Sequence, residues 1–459
     1  MSQLPKSLSY GANQMPFRVN KYQVMPVGSD SNGPNSTCRF RFPEKSIIRL
    51  SSTTLTFDVT INGLTNTDGN NWNKALFPPA QYAFFKQVRW YCNGVLCTGL
   101  NNHYNQIYHA LLRSSVGEDY INSRALSGLQ QHLAQEDEEG VLQVRKDATS
   151  KTGSYICEDI LGLSRANGGE SIIDTSIFGT IELEIIFDDK NVLACFGASN
   201  TGDATAQSAA IVAGNAKISW QLSNLRALVD VCTVVPPIYM SLMSARLKSS
   251  EPLKFAYENI VSIVANRLTS NRINVNTQCL DALMICCLGS TWNDGNNQAD
   301  ATTQFNKKFR FTSGKGLNDV NCNLQIQVGS EVYPKIPIQN LLHCSDYTVN
   351  AFHPHSSFSQ NLLFQNISGA SNVSAGSQTY KKANYLTENF IWVMPFAAEQ
   401  GWASETHTLG GIDTASQSVD ILINSGTNDF QASTYYLLAA LTTATLEFDP
   451  QSTATRVVY

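Results

Sequence analysis

The sequence predicts an all-β chain made of two copies of one many-stranded unit that carries a single helix. Three observations carry that prediction. Charged residues make up only 15% of the 459 residues, against 42% hydrophobic, and the polar remainder is dominated by Ser, Thr, Asn and Gln. That mixture suits strands joined by polar turns better than long solvated helices. Apolar residues recur mostly with period two. Finally, a strand–turn–strand–helix block occurs twice, with its turns at Asn93 and Gly329, 236 residues apart.

The elements follow in order. Residues 1–30 lack a clear period and hold Pro16, Pro26 and Gly28, so they read as an extended N-terminal arm. Residues 1–50 are basic, with seven Lys and Arg against Asp30 and Glu44, while the whole chain is −5. Lys6, Arg18 and Lys21 are the arm's candidate inner-surface contacts. Leu55, Phe57, Val59 and Ile61 alternate with Thr54, Thr56, Asp58 and Thr60, the pattern of a half-buried strand. Asn93-Gly94 between Val88–Cys92 and Val95-Leu96 is a strong hairpin signal. Tyr104, Ile107, Tyr108, Leu111 and Leu112 share one face of a helix expected within Asn102–Arg113. Ser114–Gly179 is more charged and includes Glu136–Glu139; it reads as a long surface insert. Strands resume at Thr180–Phe187 and Lys217–Val235.

Pro236-Pro237 then divides the chain, giving expected units of 31–236 and 237–459. In the second unit, strands are expected at Leu280–Leu288, Leu324–Val328, Val332–Ile338, Phe390–Met394, Ser418–Ile423 and Tyr435–Phe448. A helical stretch is expected in Asn340–Phe352.

Enzymatic constellations are sparse. His353-Pro-His355 is the one H-x-H, with no carboxylate or thiolate clustered beside it to complete a metal shell. No phosphate-binding glycine loop and no nucleophile elbow occurs. Glu182 and Glu184, or Asp188-Asp189, resemble the paired carboxylates of a glycosidase. Glu182 and Glu184 alternate with Ile181, Leu183 and Ile185, however, which makes them an exposed strand face. Trp90, Trp220 and Trp392 lie inside strand patterns and read as core, leaving Trp402 as a loop aromatic that could stack on a sugar. The 11 cysteines include no C-x-x-C and read as reduced, buried thiols. The N-terminus has no apolar signal segment, so the N-x-S/T triplets at Asn35, Asn366 and Asn372 read as chance. No catalytic, cofactor-binding or metal site is expected, and the chain reads as a non-enzyme. The net charge argues against a free-standing nucleic-acid binder.

Several runs resemble double-jelly-roll major capsid proteins, with the best likeness to those of Polinton-like viruses, virophages and relatives among large DNA viruses. The opening LSYGANQMPFRV with RFRFPEKSIIRL is similar to that group's arm and first strand. IIRLSSTTLTFDVTI and FKQVRWYCNGVLCTGLNNHYNQIYHALL resemble its first half. LQIQVGSEVYPKIPIQN and LGGIDTASQSVDILI resemble its second. The insert 114–179 departs from the better-known members. The resemblance implies two tandem jelly-roll β-sandwiches, each with a short helix after its central hairpin. It also implies homotrimers in which six sandwiches form a pseudo-hexameric tile of an icosahedral shell. The implied partners are neighbouring capsomers, minor capsid or penton proteins, and genome or lipid reached through the arm. The implied location is the virion, after synthesis in the host cytoplasm. The alternative from the residues themselves is a lectin-like β-sandwich that binds carbohydrate or a receptor, which would need loop aromatics gathered in one pocket.

Overall fold

A computed structural model describes residues 17–62, 74–76, 81–115, 150–158, 160–166, 171–196, 219–234, 236–248, 252–266, 270–290, 292–293, 299–300, 305–314, 320–352, 363, 378–396, 411–423, 435–452 and 454–459.

Each half is a sandwich of two antiparallel sheets. The first half contributes β1 (Phe17–Val24), β2 (Thr37–Arg41), β3 (Ile47–Asn62), β4 (Phe85–Cys92), β5 (Val95–Thr98), β6 (Ser150–Cys157), β7 (Ile181–Phe187) and β8 (Ser219–Val234). Their sheet orders are β1-β8-β3-β6 and β2-β7-β4-β5. The second half contributes β9 (Leu253–Asn266), β10 (Ser270–Ile273), β11 (Leu280–Leu288) and β12 (Asn321–Val328). It continues with β13 (Glu331–Asn340), β14 (Ile391–Pro395), β15 (Val419–Ile423) and β16 (Tyr435–Asp449). Their orders are β9-β16-β11-β14 and β10-β15-β12-β13. Every sandwich strand of the first half thus has its counterpart eight places later, and the order is that of a jelly roll. The recurrence expected from pattern is a recurrence of topology. β17 (Ala454–Val458) adds to the edge of β16.

Local chemistry explains the elements. In β3, Leu55, Phe57, Val59 and Ile61 are all buried, as their alternation with Thr and Asp requires. Asn93 and Gly94 both take positive φ, 49° and 78°, the backbone that matches a two-residue turn to the twist of its strands. Gly329 opens the β12–β13 turn at φ 60°. Helices α1 (Tyr104–Ser115), α2 (Pro236–Lys248), α3 (His343–Phe352) and α4 (Gln378–Thr387) complete the main elements. α2 begins on the Pro236-Pro237 pair because proline is tolerated in a helix's first turn.

Two expectations need correction. Residues 17–24 are not arm but strand β1, which pairs with β8 from Phe17↔Val234 to Val24↔Ala227. Its polar composition hides it, since residues 18–23 are exposed on both faces and leave no alternation to read. Nor is 114–179 wholly a surface insert. Ser114 and Ser115 end α1, β6 pairs with β3, and Ile172–Asp174 pairs with β3 as well. Ile160, Leu161 and Leu163 are core. The Trp90 indole donates to the Leu161 carbonyl (3.0 Å) and the Tyr104 hydroxyl accepts from the Leu161 N–H (3.0 Å). Gly162 fits beneath Trp90 only because it is glycine: its φ is 104°, and a Cβ would lie 2.8 Å from Trp90 Cδ1. Residues 116–149, including Glu136–Glu139, lie outside the described residues.

Candidate functional site

Among the described residues no cluster of three or more His, Cys, Asp or Glu could hold a metal ion. Burial raises the Cys38 and Cys92 thiols to about 12, far from thiolate reactivity. His353, His355, Trp402, Asn366, Asn372 and Lys6 lie outside the described residues. Trp90, Trp220 and Trp392 are all fully buried, so none offers a sugar-stacking face.

What the fold builds instead is a seam between the sandwiches. Helix α1 is its spine. Tyr104, Ile107, Tyr108 and Leu111 face the first core, as their spacing implies, but Asn105, Gln106, His109 and Arg113 are buried as well. The second sandwich covers Gln106 and His109. Gln106 donates to the Lys308 carbonyl (2.6 Å), and the His109 ring packs edge-on against Phe309 at 5.7 Å. Lys308, itself buried, reaches back to Asp188 (2.6 Å) and Asp189 (3.3 Å) of the first sandwich, and Asn105 also donates to Asp188 (2.6 Å). The Asp188-Asp189 pair is therefore an anchor for a buried ammonium and not a catalytic dyad. Burial, followed by the nearby Lys308 charge, pushes His103 down to about 4.

A second part of the seam closes an edge. β9 is the outermost strand of its sheet, and first-sandwich groups satisfy its free backbone. The Ser262 N–H donates to the Leu100 carbonyl (2.8 Å) and the Glu258 N–H to the Arg165 carbonyl (3.0 Å). The Tyr257 hydroxyl donates to the Cys97 carbonyl (2.6 Å), and Ser262 Oγ donates to Asn102. The Tyr459 hydroxyl adds a bond to the Leu96 carbonyl (2.9 Å). The corner running from β5 to the start of α1, together with Arg165 between β6 and β7, thus caps the edge of the second sandwich. Sequence reading missed this because β9's covering comes from residues far away in the chain, as Leu100 is from Ser262.

The strand face at Glu182 and Glu184 is not simply exposed. Glu184 is buried between Arg39 (2.5 Å) and Arg89 (3.0 Å). Burial alone would raise its pKa, but the two guanidinium hydrogen bonds outweigh this and hold it below the ordinary carboxylate range. Glu447 repeats the device on the second sandwich, between Lys254 (3.2 Å) and Arg456 (2.7 Å). Arg18 and Lys21 are exposed on β1 and, three residues apart on a strand, point to opposite faces.

No protein-family model matches the sequence, and no curated protein matches it. Solved structures do match. The PBCV-1 virus capsid aligns at 13% identity over 97% of this chain and 97% of its own, with a TM-score of 0.53. The Sputnik virophage aligns at 13% identity over 96% and 88%, with a TM-score of 0.52. The Faustovirus major capsid protein aligns at 8% identity over 94% and 90%, with a TM-score of 0.52. The fold is a double jelly roll. The match runs through both sandwiches, so the double jelly roll includes their side-by-side placement and not only the single unit. At such identities the likeness is one of fold.

Proposed function

We propose that this double jelly roll is a major capsid protein, the repeating tile of an icosahedral viral shell. The observation that carries the reading is the pairing of two like sandwiches through a buried seam in an arrangement that solved viral capsids share over nearly the whole chain. A rigid two-sandwich block supplies wall, while its uncovered edges supply contacts between copies. Three chains closing head-to-tail give six sandwiches in a ring, and neighbouring rings and minor capsid or penton proteins are the further partners. The site of action is the virion, and the role is structural, not enzymatic. The low charged fraction, 15%, fits a chain whose surface is largely interface. The lectin-like alternative loses support because three of the four tryptophans considered for it are core.

Light scattering and electron imaging of the purified protein test this: a mass of three chains and a six-lobed outline are expected. A monomer that persists on concentration would overturn it. Within the same reading, residues 1–16 with Lys6 reach the anionic interior, either genome or lipid, where each basic residue near such a surface adds about 1 kcal/mol. Removing residues 1–15 is expected to leave trimers intact and lower the yield of complete particles; normal yield would refute the inner contact.

A further inference from the structure

The second sandwich grips β5 with two tyrosines, and one of them is held by a short outer strand. β16 pairs with β11 only as far as Thr442; beyond that the flank is taken by β17, from Thr445↔Val458 to Asp449↔Ala454. The other flank of β16 stays with β9 throughout, where Tyr257 pairs with Ala444. One step past Val458, the β17 register sets Tyr459 on the opposite side of Ala444. Residues opposed across a sheet share a face, so a tyrosine stands on each side of this buried alanine. The same face carries Phe448, whose ring meets Phe178 of the first sandwich at 5.8 Å.

The two hydroxyls reach neighbouring carbonyls on β5: Tyr257 donates to Cys97 (2.6 Å) and Tyr459 to Leu96 (2.9 Å). A regular strand sends successive carbonyls to opposite sides. Cys97 is the extra residue of a bulge, since Trp90 pairs with Thr98 but Tyr91 with Leu96, and a bulge breaks that alternation. Between the tyrosines Ala444 offers only a methyl group, which leaves both rings room to rise toward β5.

The two halves of the grip are not equally fixed. Tyr257 sits in a strand of 14 residues and is fully buried. Tyr459 follows a strand of 5 residues and is 40% exposed. Beyond its pairing, this segment is tied by the Gln278 N–H, which donates to the Tyr459 carbonyl (2.9 Å). Arg456 adds an ion pair to Glu447, but its side chain is 73% exposed, and Glu447 is also held by Lys254. Short strands with solvent-exposed hydrogen bonds and few buried contacts are where local opening costs least.

We infer that residues 454–459 are a releasable strap that locks the two sandwiches together. Closed, the strap sets Tyr459 on the β5 bulge; open, it leaves that grip to Tyr257 and frees the β16 edge at Thr445–Asp449. Neither sandwich unfolds in the change. The lock lies within one chain, so it holds whether or not the chain builds a shell.

Hydrogen exchange on the full chain, read by mass spectrometry, tests release and locking separately. In the wild type, the amides of Ala454–Val458 should exchange faster than those of β11. A strap as well protected as β11 would not be releasable, and the inference would fail. Locking is read at the Glu258 and Ser262 amides, which donate across the seam to Arg165 and Leu100. Tyr459→Phe removes one hydroxyl from a partly exposed side chain and should keep the fold. It should speed exchange at those two amides about three- to tenfold, the loss expected for one hydrogen bond. Deleting residues 454–459 should do at least as much, while β3 and β8 keep their wild-type protection. If Glu258 and Ser262 stay as protected in Tyr459→Phe as in the wild type, the strap is no lock and the inference is overturned.

Discussion

The two sandwiches share a strand order and differ in what covers them. In the first, β3 and β8 alternate between buried and partly exposed positions for most of their length. In the second, all nine residues of β11 are buried, as are Tyr436–Ala444 of β16 without a break. The edges differ in the same sense, since β9 is capped by first-sandwich carbonyls while among the described residues no backbone group donates to the outer edge of β1. Helices add to the cover of the second: Thr348 of α3 and Tyr385 of α4 both donate to the Ile391 carbonyl, at 2.9 and 3.0 Å. One topology therefore accommodates either a half-wet or a dry sheet, and the run of apolar residues records which.

The largest expected effect comes from breaking the seam that makes the halves unequal. Lys308→Ala leaves Asp188 buried without its ammonium and should cost about 3–5 kcal/mol, read as a fall in the denaturation midpoint. Arg18→Ala and Lys21→Ala on the bare edge should stay within about 0.5 kcal/mol. A similar loss from all three would remove the distinction between covered and open edges.

Acidity separates the halves by sign. His103, in the first, has its pKa lowered from 6.5 to about 4 by burial and then Lys308. Its contribution is present above pH 6.5 and is lost as pH falls toward 4. Asp281, in the second, is raised from 3.8 to about 6 by burial, against hydrogen bonds from Thr443 and Cys279. Its contribution is full below about pH 4 and is lost as pH rises through 6. Each is worth about 2–3 kcal/mol at most. Unfolding measured from pH 4 to 7 should therefore steepen its rise with pH in Asp281→Asn and flatten it in His103→Gln; the reverse pattern would contradict the assignment.

Gly162→Ala should cost about 1–3 kcal/mol through overpacking against Trp90, with loss of tryptophan near-UV dichroism as a second readout. A smaller effect than this concerns the two carboxylate clamps. Glu184→Gln and Glu447→Gln should each lose at most about 1 kcal/mol, because their Arg and Lys partners are largely solvent-exposed. A much larger loss at Glu184 would mean that the first sandwich depends on its clamp as the second does not.

How much of this was legible in sequence follows from the same contrast. β3, the two hairpins, α1, α3 and β16 announce themselves because burial on one face, or on both, leaves a clean period or a clean apolar run. β1 did not, because it is exposed on both faces, and β9 did not, because an uneven cover blurs its alternation. Asp188 and Asp189 were visible as a pair, yet their role depends on Lys308, over a hundred residues later. Only the folded chain joins them.

Sewing the first strand to the last has a consequence for synthesis. β1 finds no partner until β8 has emerged, since Phe17 pairs with Val234, and at roughly 5–20 residues per second that wait is on the order of 10–40 s. The nascent chain carries an unclosed sheet throughout, a slow, non-local step. Once β8 arrives, the first sandwich can close while the second is still being made. The β5–α1 corner is then in place before β9 is translated, so the earlier half serves as a template on which the later one is laid down.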